Sequence, residues 1–314
     1  MADSIQPTSI SLGKRLGVVL LRSVMGLFKQ SLRFRKSATP PGPVTLHSYG
    51  SHRDETLQYI PRKPGTPERG AVVYIHGGGW IAGKKELYTR DLFFLAEQGY
   101  PVFNLEYPMA PENPHPGILR SLLRALEWIR ENHPENETVH FMGDSAGGNL
   151  ATMLGVLSRN PEFIRDIDPT GMPRTALACY SVVSLYGVLD RLSWIDNKFP
   201  LSKVMLESYA GKAAFEREVD PSLAITPMDL KFDSIPPCYL VAGTEDQLCD
   251  SSRMFAKRLE DGPTEVVLSI FEGERHGFFN TAWRPACQKM RGEVLEFLLR
   301  NDPSEAANPY PGEA

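Results

Sequence analysis

Gly143-Asp144-Ser145-Ala146-Gly147-Gly148 follows directly on the apolar run Val139-His140-Phe141-Met142, and this juxtaposition decides how the rest of the chain is read. An apolar run that ends in a glycine-flanked serine, with helix-compatible sequence behind it, describes a strand turning sharply into a helix. Residues two positions either side of the serine must then be nearly free of side chain, so that strand and helix can pass closely. The serine hydroxyl at the tip is presented as a nucleophile. Small, turn-prone residues also make ordinary loops, so the hexapeptide needs partners elsewhere in the chain.

Working outward, strand and helix patterns alternate. Ala71 to Ile75 and Val102 to Leu105 read as strands, with a helical stretch from Glu86 to Gln98 between them. Ile118, Leu122, Ala125 and Ile129 recur at helical spacing before the strand that ends at Met142. After the serine, Gly147 to Leu157 suits a helix, Ala178 to Leu185 and Cys238 to Ala242 strands, Ser251 to Leu259 a helix, and Val266 to Phe271 a strand. A final helix presents Trp283, Cys287, Met290, Val294 and Phe297 on one face. This alternation predicts a mostly parallel sheet with helices on both sides, whose sites form at the carboxyl ends of strands. Asp190 to Val219 breaks the pattern with Trp194, Phe199, Leu201, Met205, Leu206, Tyr209 and Phe215, and reads either as an inserted helical lid or as one more pair of surface helices.

A serine nucleophile needs a base, and the base an orienting acid. Of seven histidines, His47 and His52 precede the main series, His76 opens a glycine run, and His115 lies between two prolines. His133 closes a helix before Pro134, and His140 lies inside a strand. His276 remains, in a short loop after the last strand, where Gly277 lets the backbone turn back. For the acid, Asp246 follows the strand Cys238 to Ala242; Glu245 and Asp250 are its rivals, and Asp250 is the better placed to cap the helix near Ser251. The order Ser145, Asp246, His276 is that of α/β-hydrolases. Ile75-His76-Gly77-Gly78-Gly79-Trp80 adds a loop at a strand end whose amides can converge on an oxyanion. A phosphate loop needs Gly-x-Gly-x-x-Gly or a lysine followed by Ser or Thr, and neither is in place.

These motifs resemble the hormone-sensitive-lipase-like family of α/β-hydrolases, from about Ala71 to Leu299. His76 to Gly79 is similar to the family's oxyanion motif and Gly143 to Gly148 to its elbow. Asp246-Gln247-Leu248 and His276-Gly277-Phe278 are similar to its acid and histidine motifs. Tyr107-Pro108-Met109-Ala110-Pro111-Glu112 resembles its Tyr-Arg-Leu-Ala-Pro-Glu segment, with Pro108 where arginine is usual, and Asp220-Pro221-Ser222-Leu223 resembles its lead into the acid-bearing strand. The resemblance implies one α/β-hydrolase domain over residues 1–314, with a helical cap from residues 1–40 and 190–219; residues 301–314, rich in Pro, Ala and Glu, read as a frayed tail. It implies a serine esterase acting on a small-molecule ester or lactone, with Ser145, Asp246 and His276 as the catalytic set and no metal or cofactor. Oxyanion donors would come from the run Gly77, Gly78, Gly79 and from Ala146, with His76 holding the loop and Trp80 either lining the pocket or packing the core. Two other readings stay open: an amide or formamide hydrolase, since the glycine run before Trp80 also resembles kynurenine formamidases, and a non-catalytic small-molecule receptor like the plant gibberellin receptors, which lack the histidine.

Composition bounds the remaining classes. At 314 residues and 42% hydrophobic the chain can bury a large core, and a net charge of −4 gives no footprint for nucleic acid. The four cysteines lie far apart without metal spacing and read as reduced thiols. Residues 1–36 run opposite in sign, with seven basic residues (Lys14, Arg15, Arg22, Lys29, Arg33, Arg35, Lys36) against Asp3. Charges interrupt the apolar stretch 12–28, which is neither a signal peptide nor a span, so a cytoplasmic protein is expected. On a helical wheel Leu12, Leu16, Val19, Leu20 and Leu27 share a face. Amphipathic helices ordinarily pack on their own protein, so this face is expected over the mouth of the active site; peripheral contact with an anionic membrane is the alternative.

Overall fold

A computed structural model describes residues 6–31, 39–167, 177–199, 201–220 and 224–302. Its strands are β1 (Thr45–Ser48), β2 (Thr56–Ile60), β3 (Ala71–Ile75), β4 (Val102–Leu105), β5 (Thr138–Asp144), β6 (Ala178–Leu185), β7 (Cys238–Gly243) and β8 (Val266–Phe271). They form one sheet in the order β1-β2-β4-β3-β5-β6-β7-β8. β2 runs antiparallel to both β1 and β4, and every other pairing is parallel. Helices are α1 (Leu12–Ser31), α2 (Phe93–Ala96), α3 (Gly117–Asn132), α4 (Ala146–Arg159), α5 (Glu162–Ile167), α6 (Arg191–Asp196), α7 (Ser202–Ala210), α8 (Cys249–Glu260) and α9 (Pro285–Arg300).

Central strands such as β3, buried at every residue, read as continuous apolar runs because helices cover both faces. Successive residues of β3 go to opposite cores. Val73 and Ile75 pack with Leu122, Leu150 and Phe255 of α3, α4 and α8, while Val72 and Tyr74 pack with Leu95, Met290 and Phe297 of α2 and α9.

Three local expectations change. The stretch Glu86 to Gln98 is a 3-10 turn at Lys85–Leu87 followed by the short α2. Between and around these turns Tyr88 reaches Asp144, and Asp91 receives Asn280 and Arg291, so tertiary hydrogen bonds replace those of a continuous helix. Trp283 is 70% exposed and precedes α9, which starts at Pro285, a residue suited to the first helical position. β1 and β2 add two strands that the sequence pattern does not announce; they lie at one edge of the sheet, and β1 buries none of its residues.

α1 contradicts the expected packing of its apolar face. Leu12, Leu16, Val19 and Leu20 are between 58% and 74% exposed, and the helix seats instead through Val18, Gly17, Lys14 and Arg22. Lys14 pairs with Glu207 of α7, and Arg22 donates to the carbonyl oxygens of Ile81 and Ala110 and to both oxygens of Glu112. Val18 and Leu21 pack on the core, and the polar contacts of Lys14 and Arg22 hold the helix with Leu12, Leu16, Val19 and Leu20 outward. The side chain of Leu27, the segment 221–223 and the tail from 303 onward lie outside the described residues. Among the described residues no helix is long and apolar enough to cross a membrane.

Candidate active site

β5 ends at Asp144 and α4 begins at Ala146, so a single residue makes the turn between them. That residue, Ser145, has φ 53° and ψ −119°, a conformation that an L side chain seldom adopts. Its neighbours explain why it persists. A Cβ on Gly147 would collide with the carbonyl oxygen of Ile75, and one on Gly143 would lie 2.7 Å from that same atom. A Cβ on Gly148 would lie 3.0 Å from Cα of Gly187 and 2.8 Å from Oγ of Ser184. The glycines let α4 lie against β3 and the β6 exit, and the amide of Ser145 is held by the Leu185 carbonyl at 2.8 Å.

The fold brings Ser145, Asp246 and His276 together. Nε2 of His276 is 3.0 Å from Ser145 Oγ, and Nδ1 is 2.9 Å from Asp246 Oδ2. A carboxylate only accepts, so Nδ1 carries the proton and Nε2 is left to accept from the serine hydroxyl. Asp246 is buried, and its other oxygen accepts the amide of Leu248 at 2.9 Å. Its rivals are directed elsewhere: Glu245 pairs with Arg275 at 2.8 Å, and Asp250, in the first turn of α8, accepts from Asn197 at 3.0 Å. Gly277, at φ 84°, makes the left-handed turn that follows His276. This chain of contacts can move a proton from Ser145 Oγ to His276.

The glycine run after β3 lies against the elbow, and two buried carboxylates shape it. Asp144 Oδ1 accepts from the Gly77 amide and from Tyr74 Oη, both at 2.8 Å, and Oδ2 accepts from Tyr88 Oη at 3.0 Å. The Gly77 amide is therefore occupied, which removes it from the expected oxyanion donors and leaves Gly78, Gly79 and Ala146. Burial pushes the Asp144 carboxyl above the ordinary range, against those hydrogen bonds. Gly78 and Gly79 take φ of 120° and 61°, and a Cβ on Gly79 would collide with Sδ of Met205. Ala146 opens α4, so its amide has no acceptor within the helix.

Glu106 is the second carboxylate. His76 sets Nδ1 2.8 Å from the Gly77 carbonyl and Nε2 3.2 Å from Glu106 Oε1. Both partners are acceptors, so both ring nitrogens carry protons and His76 is an imidazolium. Burial opposes that charge, but Glu106 and the Gly77 carbonyl outweigh it and raise the histidine pKa. Burial likewise works against charge on Glu106, yet His76, Lys84 and the Lys85 amide bring its carboxyl down to about 2.

Aromatic residues complete the surroundings. Trp80 is fully buried, stacked on Tyr209 at 4.5 Å and edge-on to Trp194 at 5.7 Å, so it packs the core beneath α6 and α7 and does not present an open wall. Phe199, between those helices, and Tyr186, after β6, meet the His276 ring edge-on at 5.0 and 4.8 Å. Sequence reasoning missed Tyr186, Glu106 and Arg22. Glu106 stands directly before the Tyr107–Glu112 segment, which was the available signal; the other two carry none in the sequence.

Residues 72–280 match the Abhydrolase_3 family model, an alpha/beta hydrolase fold. Carboxylesterase NlhH of Mycobacterium tuberculosis is 26% identical over 241 residues, covering 73% of this chain and 73% of that protein. Neutral cholesterol ester hydrolase 1 of Mus musculus is 25% identical over 340 residues, covering 87% of this chain and 82% of that one. Among solved structures, esterase B from Lactobacillus rhamnosis superposes with a TM-score of 0.76 at 19% identity, covering 95% of this chain and 98% of that one.

Proposed function

The chain belongs to the Abhydrolase_3 family of the α/β-hydrolase fold, and from that premise we propose that it hydrolyses carboxylic esters through an acyl-enzyme on Ser145. The observation that carries the reading is the hydrogen-bonded sequence Ser145–His276–Asp246, set beside a glycine loop that Gly77 ties to Asp144 of the elbow. Relatives named as esterases support the same reaction class.

In the first step Ser145 Oγ attacks the ester carbonyl carbon while His276 Nε2 takes its proton. Asp246 holds Nδ1–H and stabilises the imidazolium. The carbonyl oxygen, now negative, accepts hydrogen bonds from the amides of Gly78, Gly79 and Ala146. His276 returns the proton to the leaving alkoxy oxygen as its bond to carbon breaks, leaving Ser145 acylated. Water gives a proton to the same nitrogen, adds to the acyl carbon, and the acid departs as Ser145 Oγ is reprotonated. His76, Glu106 and Asp144 are positioning residues that fix the glycine loop. α1 and the 190–219 insertion act as the cap: Met205 against Gly79 and Phe199 against His276 border the space next to the reacting atoms. That apolar border suits small or medium acyl groups. No step calls on a metal or an organic cofactor.

A panel of p-nitrophenyl esters of increasing acyl length, run with N-formylkynurenine on wild type and Ser145→Ala, tests the reading. Ester turnover lost in Ser145→Ala supports it; faster turnover of the formamide than of any ester moves the assignment to a formamidase.

A further inference from the structure

We propose that α1 is a docking element for an anionic phospholipid surface, engaged through the outward stripe Leu12, Leu16, Val19 and Leu20. The inference stands on the placement of α1 and does not rest on the esterase reading.

The helix is inverted relative to an ordinary surface helix, which turns its leucines inward and its cations to water. Here Lys14 and Arg22 point inward, to Glu207 of α7 and to Ile81, Ala110 and Glu112, while the four aliphatic side chains at i, i+4, i+7 and i+8 face solvent. The contacts of Lys14 and Arg22 lock this orientation. Rolling the stripe inward would break both ion pairs and two hydrogen bonds to carbonyls, so exposure of the leucines is built into the seat. Lys14 against Glu207 and Gly17 against Val204 run antiparallel, which puts Leu201, itself exposed, at the level of Leu20. Single exposed apolar side chains are ordinary. A contiguous row of them on one helix marks an interaction surface.

Charge selects the occupant. No acidic residue lies between Asp3 and Asp54, whereas residues 1–36 hold five basic ones besides the inward-paired Lys14 and Arg22, in a chain whose net charge is −4. Arg15 is exposed beside the stripe. A second copy of the chain docked through the same helix would set like charges against each other, while anionic headgroups complement them. Stable peripheral binding takes two signals, buried apolar area and electrostatic attraction, and this segment supplies both.

Flotation of the full-length protein with vesicles tests the proposal, using phosphatidylcholine alone and phosphatidylcholine mixed with phosphatidylglycerol. Wild type is expected to float with the mixed vesicles, to release them at high salt, and to stay behind with the neutral ones. Leu16→Ser/Leu20→Ser, whose exposed positions leave folding intact by circular dichroism, is expected to bind at least roughly tenfold more weakly. Absence of flotation, equal flotation with neutral vesicles, or undiminished binding by the double variant overturns the proposal. So does a wild-type dimer, measured by light scattering, that the double variant dissociates.

Discussion

His276 Nε2 stands 3.0 Å from Ser145 Oγ across 131 positions of sequence, and Asp246 fixes the proton on the far side of the ring. The direction of proton flow thus depends on a carboxylate that can only accept. Asp246→Asn sets an amide group against Nδ1, favours the wrong tautomer, and is expected to lower kcat by about 10⁴-fold. Glu245→Gln, which loses only an exposed pair with Arg275, should leave kcat within about twofold. Steady-state kinetics on a soluble ester compares the two.

Two glycines separate close packing from backbone conformation. Gly147→Ala drives a Cβ into the Ile75 carbonyl and the His76 backbone, rigid atoms that cannot yield, and should cost at least about 3 kcal/mol. Gly277→Ala has open space around it but keeps φ at 84°, so its cost should be about 1–2 kcal/mol. Urea unfolding midpoints at constant m-value measure both.

The buried His76–Glu106 pair has a pH window. Glu106, lowered to about 2, contributes stability that is present above its unfolded pKa of about 4.3 and is lost as pH falls toward about 2. His76, raised, contributes stability that is full below its unfolded pKa of about 6.5 and is lost as pH rises through its folded value. Glu106→Gln strands a buried charge and should cost about 3 kcal/mol between these limits. Thermal unfolding across pH should show the gap from wild type narrowing on both the acid and the alkaline side.

Arg22 ties α1 to the loop behind the glycine run. Its fork meets both Glu112 oxygens, at 2.7 and 3.0 Å, and the Arg22 hydrogen bond is the main cause that holds the Glu112 carboxyl below its ordinary range. Arg22→Ala should cost only about 1 kcal/mol overall, because the pair is largely exposed. Amide exchange within α1 should nevertheless rise. Arg22→Lys should rescue little, since an ammonium cannot span two carboxylate oxygens and two carbonyls in one plane.

What was legible in the sequence follows from where each constraint acts. Gly143, Gly147 and Gly277 announce themselves because sharp turns and close backbone approaches exclude side chains locally, and the strands around them are apolar runs bounded by such turns. The order of Ser145, Asp246 and His276 followed from those strand ends. α1 shows the limit: a helical wheel separates two faces but cannot say which one the protein buries, and that choice was made by Glu207 and Glu112, far away in sequence. Glu112, in the segment Tyr107–Glu112, takes its guanidinium from Arg22 of α1, 90 positions away. The glycine motif shows which glycines are adjacent but not where each N–H points, so the sequence cannot tell that the Gly77 amide turns to Asp144.

Mass spectrometry of the protein after reaction with a fluorophosphonate tests most directly whether Ser145 is the nucleophile. A nucleophilic Ser145 gives one adduct, localised to the peptide that carries it, absent from Ser145→Ala and strongly slowed in His276→Ala, with ester turnover lost in step. An adduct on another residue, or ester hydrolysis that persists in Ser145→Ala, would contradict it.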